Sequence, residues 1–249
     1  MQALDGQNFL GAANLLLSEE AARTDFGHTQ TIAAIMAKLA DGRKADFSSK
    51  DKVEAKLAEW LREKNIKRVL EIGPGSSSII LPLAGALKKA GCEVHYAGGD
   101  LERYEKRDLD SRGFTQAANY FDRKNMPNAK YDLIIAQNVF SSGGNLATHT
   151  RELVTLCNRG AAHAARSLTH RESFAVLSEY CAAMPITRRA LEAKAKVHLW
   201  ATIENYYGNN LQELGGRYLK TGRKRTLGAT LAEAPNIVVF GPKARHARK

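Results

Sequence analysis

The stretch RVLEIGPGSSSIILPLAGALKKAG, from Arg68 to Gly91, decides the fold. It opens as a short apolar run, passes through a Gly-Pro-Gly turn and three serines, and continues as a second apolar segment that ends at a glycine. A short apolar run of this kind suits a buried parallel strand, and a closing glycine is typical of a helix end. We therefore predict a strand over Lys67–Ile72 and a helix over Ser77–Ala90, joined by a turn that allows backbone to approach a ligand closely.

The same alternation of strand and helix patterns continues along the chain. The other predicted strands are Glu93–Ala97, Phe114–Tyr120, Tyr131–Ala136, Lys196–Ile203 and Asn236–Phe240. The other predicted helices are Asn8–Arg23, Thr29–Leu39, a helix after the cap Ser48 or Ser49 with an apolar stripe of Val53, Leu57, Trp60 and Leu61, Leu146–Cys157, and Arg171–Met184. The Ala-rich stretch 159–170 fits either a fifth strand or a continuing helix.

This alternation predicts an α/β fold with a doubly wound, mostly parallel sheet and an N-terminal helical extension. We expect residues 1–50 to form the extension or a lid, and residues 51–249 to form the main domain with a basic C-terminal segment. No repeat and no convincing linker divides the main domain.

The composition points to a cytoplasmic protein with no membrane span and no metal site. The N-terminus lacks a basic region followed by a long apolar one, and no apolar run is long enough to cross a bilayer. The three cysteines are odd in number and contain no C-x-x-C pair, which argues against a disulfide scaffold or a zinc site. The histidines likewise lack the spacing of metal ligands.

Positive charge is concentrated near the C-terminus. Residues 216–249 hold nine Lys or Arg and one acid, a net +8 of the total +11. Such a segment attracts a phosphate backbone, an anionic surface or an acidic substrate, and it also suits a solvated tail.

The Gly-Pro-Gly turn argues against a P-loop and makes a dinucleotide-binding site a weaker interpretation. A phosphate-binding P-loop needs a lysine after its second glycine, and this turn continues with serines. A dinucleotide fold needs a third glycine for close packing of the helix against the strand, and Ser77 and Ser78 stand in that region. An NAD(P)-binding oxidoreductase therefore stays open as a weaker alternative.

The string VLEIGPGSSS resembles the first motif of the class I S-adenosylmethionine-dependent methyltransferases, in which an apolar strand and an acid precede Gly-x-Gly-x-Gly. Glu71 is the acid, Gly73 and Gly75 are the first two glycines, and Ser77 replaces the third. The resemblance extends over about residues 53–160. It implies that Asp100, at the end of the second predicted strand, binds the ribose hydroxyls of the cofactor, and that YDLIIAQN is the strand whose following loop faces the sulfonium.

The resemblance implies S-adenosylmethionine as cofactor and S-adenosylhomocysteine as product. The implied cofactor-binding residues are Glu71, Gly73, Pro74, Gly75, Ser76, Asp100, Leu101, Asn119, Tyr120 and Gln137. The reaction is then in-line methyl transfer, in which alignment of the acceptor and exclusion of water matter more than a general base. The sequence does not identify a catalytic residue; the candidates by position or chemistry are Asn138, Ser141, His149 and Tyr206.

The sequence leaves two main classes of methyl acceptor open, RNA and a small molecule. The position after the fourth strand reads Gln-Asn-Val-Phe, without the prolines found in many enzymes that methylate exocyclic amines of bases. The basic C-terminal segment keeps RNA in consideration, whereas the N-terminal helices suit a lid over a small molecule. RNA and a small molecule rank level, with a protein acceptor third, and a catalytically silent binding subunit of the same fold is a further alternative.

Overall fold

The computed structural model describes the helices and strands around the predicted turn. The described residues are 6–17, 31–33, 35–36, 47–74, 78–97, 103–117, 130–137, 139, 174–180, 198–202 and 235–241. The helices are α1 (Gly6–Leu16), α2 (Lys50–Glu63), α3 (Ile80–Ala90) and α4 (Arg103–Ser111). The strands are β1 (Arg68–Ile72), β2 (Glu93–Ala97), β3 (Thr115–Gln116), β4 (Leu133–Gln137), β5 (Phe174–Tyr180), β6 (His198–Thr202) and β7 (Pro235–Gly241). Residues 31–33 and 35–36 are also helical, and we call them the inner segment.

The seven strands form one sheet in the order β3-β2-β1-β4-β5-β7-β6. Strands β1 to β5 pair in parallel, and β7 lies antiparallel between β5 and β6. The predicted fold class, a doubly wound and mostly parallel α/β sheet, is confirmed. The antiparallel direction of β7 was not predicted, because strand direction leaves no periodic signal in the sequence.

The elements around the Gly-Pro-Gly turn agree with their predictions. Strand β2 has the predicted bounds, and α3 ends at Gly91, which adopts the left-handed conformation with φ 73°. Helix α3 begins at Ile80, three positions after the predicted start, and the described residues Ser78 and Ile79 precede it. Late strands lie at β6 and β7 as predicted, while the predicted helix Leu146–Cys157 and the stretch 159–170 lie outside the described residues.

The predicted helix Arg171–Met184 is wrong in its central part, because residues Phe174–Tyr180 form strand β5. The Ala, Leu and Glu residues of this stretch favour a helix, but the chain pairs with β4 on one side and β7 on the other. Both flanking ladders supply partners for its backbone N–H and C=O groups, and Ala175 is completely buried. Tertiary pairing here overrides local propensity.

Helix α2 packs on α3 through the predicted apolar stripe. Its stripe residues Val53, Leu57, Trp60 and Leu61 are all buried, and the Ser49 side chain accepts a hydrogen bond from Lys52 N at the helix start. The two helices approach closely at Gly85, where a side chain would overlap the carboxylate of Glu54. That carboxylate also accepts a hydrogen bond from Lys89 Nζ at 2.8 Å.

The N-terminal helices share one hydrophobic core with the helices and strands of the main domain. On α1, Ala12, Ala13 and Leu16 are buried, whereas Asn14 and Leu15 are exposed. The apolar residues of the inner segment join the same core. None of the helices within the described ranges has the length and apolarity that crossing a membrane requires.

Polar side chains join β1, β2 and β4 at the amino ends of the strands. Asp132 Oδ2 accepts hydrogen bonds from the backbone N–H groups of Lys67 and Arg68, both at 2.9 Å. Arg68 Nε donates to Glu93 Oε2 at 2.8 Å on the adjacent strand. These contacts give Asp132 a structural role at the amino ends of β1 and β4.

Cys92 is a structural thiol on this edge. Its Sγ donates to Ile66 O at 3.3 Å, and burial, with the nearby charge of Asp132, raises the pKa of the thiol to about 11. Cys92 is therefore protonated and unreactive at neutral pH.

We predict that Asp132→Ala destabilises the protein by about 1–3 kcal/mol, because two backbone donors lose their acceptor. Asp132→Asn should cost less, since its amide oxygen still accepts. Asp108→Ala, which removes an exposed carboxylate on α4, is the control. Urea unfolding measures all three variants, and equal effects of Asp132→Ala and Asp108→Ala would contradict the assigned role.

Candidate functional site

The candidate site lies at the carboxyl ends of β1, β2 and β4. The chain runs outward from β1 to β2 and β3 and then crosses to β4 on the opposite side of β1. This reversal is a topological switch point, where open α/β sheets hold their ligands in the crevice outside the strand ends. The turn after β1 is therefore in the position that a ligand site needs.

Gly73 begins this turn and brings three elements together. Its φ is 65°, and its N–H donates to Ala97 O, at the end of β2, at 2.6 Å. A Cβ atom at this position would lie 2.7 and 2.8 Å from the two methyl carbons of Val139, in the loop after β4. Val139 is itself buried. Both the left-handed backbone and the close packing therefore require glycine.

Glu71 lies beneath the turn and links β1 to α3. The residue is 2% exposed, and its carboxylate accepts three hydrogen bonds. Oε1 accepts from Ile79 N at 2.7 Å, while Oε2 accepts from Ser78 Oγ at 2.5 Å and from Ile80 N at 3.3 Å. Helix α3 has no side-chain cap of its own, since its cap residue is Ile79. Glu71 thus caps the helix from the preceding strand.

The buried carboxylate also places negative charge beside the N-terminus of α3. The N-terminus of a helix carries partial positive charge and often binds phosphate. At α3 the first N–H groups already donate to Glu71. A phosphate group brought to the same place would meet a carboxylate, whereas a neutral or cationic ligand would not be repelled.

Gln137 ends β4 and contacts the N-terminal helices. Its Oε1 accepts a hydrogen bond from Thr31 Oγ1 at 3.0 Å, and Thr31 is completely buried. Sequence analysis missed Thr31, because 106 positions separate the two partners and a single buried threonine has no pattern of its own. The inner segment is therefore positioned at the carboxyl end of β4.

Tyr96 holds α4 against β2 on the other side of the site. Tyr96 Oη donates to Asp110 Oδ1 at 2.6 Å, and Lys106 Nζ donates to Asp110 Oδ2 at 3.1 Å. Burial and the hydrogen bond to Asp110 raise the pKa of Tyr96, so the phenol stays protonated and able to donate. These bonds anchor both flanks of the segment that contains Asp100.

Four of the predicted cofactor-binding residues are among the described residues, and all four lie at or just below the carboxyl ends of β1 and β4. Gly73, Pro74 and Gln137 lie at the carboxyl ends of β1 and β4, and Glu71 lies below the turn. Six others lie outside the described residues: Gly75, Ser76, Asp100, Leu101, Asn119 and Tyr120. The catalytic candidates Asn138, Ser141, His149 and Tyr206 also lie outside them.

The sequence matches no protein-family model and no curated protein. Among solved structures, the chain is similar to a TehB-like SAM-dependent methyltransferase from Corynebacterium glutamicum, with 16% identity over 88% of this chain and 100% of that one and a TM-score of 0.42. It is also similar to a T. thermophilus 16S rRNA methyltransferase in complex with AdoMet and guanosine, with 20% identity, coverage of 80% and 44%, and a TM-score of 0.42.

A third similar structure is coclaurine N-methyltransferase bound to N-methylheliamine and SAH, with 12% identity, coverage of 94% and 97%, and a TM-score of 0.42. All three of these structures are of methyltransferases.

We predict that Glu71→Ala destabilises the protein by about 2–4 kcal/mol, because removing the carboxylate leaves buried donors unpaired and creates a small gap. Glu71→Gln should be intermediate, since one amide oxygen replaces two carboxylate oxygens. Glu63→Gln, at an exposed position of α2, should change stability by no more than about 0.5 kcal/mol. Chemical denaturation measures the series, and a neutral Glu71→Ala would show that Glu71 does not cap α3.

We predict that Gly73→Ala destabilises the protein by about 2–4 kcal/mol, the sum of a left-handed backbone penalty and overpacking against Val139. Gly91→Ala is the matched control, because Gly91 has φ 73° but nothing within 4 Å of its Cβ position. It should show the backbone penalty alone. Adding Val139→Ala should lessen the cost of Gly73→Ala, and strict additivity in that double-mutant cycle would contradict the contact.

Proposed function

We propose that the protein is an S-adenosylmethionine-dependent methyltransferase. The observation that carries the proposal is the acid-and-glycine turn at the switch point of the sheet. Glu71 is buried and caps α3, while Gly73 closes against Ala97 of β2 and Val139 beyond β4. The motif that resembles the methyltransferases is thus built into the sheet edge where ligands bind.

The charge of the site favours this cofactor over a nicotinamide dinucleotide. A dinucleotide places its pyrophosphate at the helix N-terminus after the first strand. Here the Glu71 carboxylate accepts hydrogen bonds from those N–H groups. S-adenosylmethionine has no phosphate, and its sulfonium and ammonium outweigh its single carboxylate, so it is repelled less than a pyrophosphate.

The proposed cofactor contacts follow the strand ends. We assign the backbone from Gly73 to Ser76 to the turn that passes closest to the cofactor, and Asp100 with Leu101 to the ribose side. Asn119 and Tyr120 are assigned to the adenine. Gln137, the last residue of β4, is assigned to the part of the cofactor site that lies next to the methyl acceptor. Glu71 supports the turn from below, because its carboxylate accepts hydrogen bonds from Ser78 and from the backbone at the start of α3.

Bound S-adenosylmethionine would supply a methyl group already activated by the sulfonium. The residues of this chain then need to bind, orient and exclude water. The Glu71 cap and the Tyr96–Asp110 bond keep the ends of β1 and β2 in fixed positions. We propose that the acceptor is RNA or a small molecule.

We predict that S-adenosylhomocysteine stabilises the protein while NAD and NADP do not. A ligand at 100 times its Kd adds about 2.7 kcal/mol, or about 5–10 °C in Tm for a chain of this length. Asp100→Ala should abolish the shift because the ribose loses its paired acceptor, whereas Asp108→Ala on the exposed face of α4 should retain it. Thermal unfolding with each ligand is the measurement.

The outcomes separate the alternatives. A shift with NADP alone would replace this proposal with the oxidoreductase. A shift with S-adenosylhomocysteine but no methyl transfer to RNA or small-molecule acceptors would favour the silent binding subunit.

A further inference from the structure

Positive charge lies along the amino edge of the sheet, which is the edge opposite the candidate site. Arg112 precedes β3, Lys88 precedes β2, Lys67 precedes β1 and Lys130 precedes β4. Because the strand order is β3-β2-β1-β4, these four residues are distributed along the edge in the same order. We call them the basic row. Lys67, Lys88 and Arg112 are exposed, and Lys130 is half-buried.

Two acids lie at the starts of these strands, and both have other partners. Glu93 accepts a hydrogen bond from Arg68 Nε at 2.8 Å, and its carboxylate lies 2.7 Å from His95 Nε2. Asp132 accepts hydrogen bonds from two backbone N–H groups. Within the described ranges, the three exposed side chains of the basic row form no ion pair. Their charge is therefore available to an anionic partner.

Helix ends account for only half of the basic row. The C-terminus of a helix carries partial negative charge and attracts Lys and Arg. Lys88 lies in the last turn of α3, and Arg112 directly follows α4. Lys67 instead directly precedes β1, and Lys130 lies three positions before β4. These two cations need another explanation.

Strand β7 brings a second source of positive charge to the same edge. It runs antiparallel to β5, and its first residue, Pro235, pairs with Tyr180 at the carboxyl edge. Its last residue, Gly241, therefore lies at the amino edge. The sequence continues from there as residues 242–249, which contain four Lys or Arg and no acid. The predicted basic C-terminal segment is thus divided by β7, since residues 216–234 precede that strand in the sequence.

We propose that the amino edge binds the phosphate backbone of single-stranded RNA, with the basic row as the contact surface. This role goes beyond methyl transfer and does not depend on it. From β3 to β7 the edge spans five strand spacings, about 24 Å, which suits a linear polyanion better than a compact phosphate. The five residues of β1 separate this edge from the candidate site by about 16 Å. The buried Glu71 carboxylate lies at the opposite edge and does not oppose phosphates here.

The twist of the sheet favours a flexible strand over a duplex. Adjacent strands rotate by about 20–25°, so five steps turn the edge by about 100–125° over its length. A DNA duplex is stiff over about 150 bp, and a stiff duplex contacts only part of an edge that curves in this way. A single strand follows the curve, and most single strands in a cell are RNA. Contacts to phosphates carry no sequence information, so we expect little dependence on base sequence.

Fluorescence anisotropy of the full-length protein with labelled oligo(U) of about 15 nucleotides tests the partner. We expect a micromolar Kd at about 0.1 M salt, and weaker binding as salt is added. Oligo(dT) of the same length should bind no more tightly, and an RNA duplex should bind more weakly. Absent or salt-insensitive binding of oligo(U), tighter binding of oligo(dT), or equal binding of the duplex would overturn the proposal. Binding to phosphatidylserine vesicles in place of oligo(U) would also overturn it.

Charge variants locate the contact surface. The combined variant Lys67→Gln, Lys88→Gln and Arg112→Gln loses three phosphate contacts. It should therefore weaken oligo(U) binding about 100-fold at about 0.1 M salt, and the slope of log K against log salt should become shallower by about 2. Single substitutions, each costing about fivefold, replace the combined variant if it unfolds.

A matched control removes the same charge away from this edge. Lys50→Gln, Lys52→Gln and Arg107→Gln change exposed residues at the start of α2 and within α4, and together they should cost less than about threefold. Equal losses in the two combined variants would show that only net charge matters and would overturn the basic row.

The C-terminal cations and the cofactor site are tested separately. Neutralising the four Lys and Arg of 242–249 should weaken oligo(U) binding further. Loss in that variant alone, with the basic-row variant binding like wild type, would assign binding to the C-terminal residues and overturn the basic row. The S-adenosylhomocysteine Kd of the basic-row variant should stay within about twofold of wild type, because the two surfaces lie at opposite edges. Failure of RNA binding would therefore leave the proposed methyltransferase function intact.

Discussion

The hydrogen bonds from the start of α3 to the buried carboxylate of Glu71 are the interaction on which the site depends. A buried charge is costly unless it is fully paired, and here Ser78, Ile79 and Ile80 supply three donors. The same bonds satisfy helix N–H groups that the side chain of the cap residue Ile79 does not cap. Strand β1, the turn and α3 therefore form one unit, and its geometry fixes the position of the Gly73 backbone.

Close contacts connect that unit to the neighbouring strands and to α4. Gly73 bonds to the end of β2 and packs on Val139 after β4, while Tyr96 and Asp110 hold α4 beside β2. The Glu71 carboxylate occupies the helix terminus that a phosphate would otherwise use. The fold and this charge are the basis on which S-adenosylmethionine is proposed as the cofactor.

Local sequence patterns predicted secondary structure correctly where the sequence of the element itself determines whether it is a helix or a strand. Helix α2 has a cap and an apolar stripe with helical spacing, and β2 is bounded by glycines, so both were located correctly. Strand β5 was missed because its residues suit a helix and its strand state comes from pairing with β4 and β7. The reversed direction of β7 has the same origin, since only its neighbours define it.

The sequence by itself determined the fold class and the position of the turn, because the acid, the glycines and the flanking apolar runs lie within one short stretch. It also determined that Glu71 and Gly73 matter. Only the tertiary structure decided what they do: the carboxylate caps α3, and the glycine admits Val139. It also decided that Thr31 meets Gln137, since a contact between residues 106 positions apart depends on how the elements pack and leaves no periodic trace in either segment.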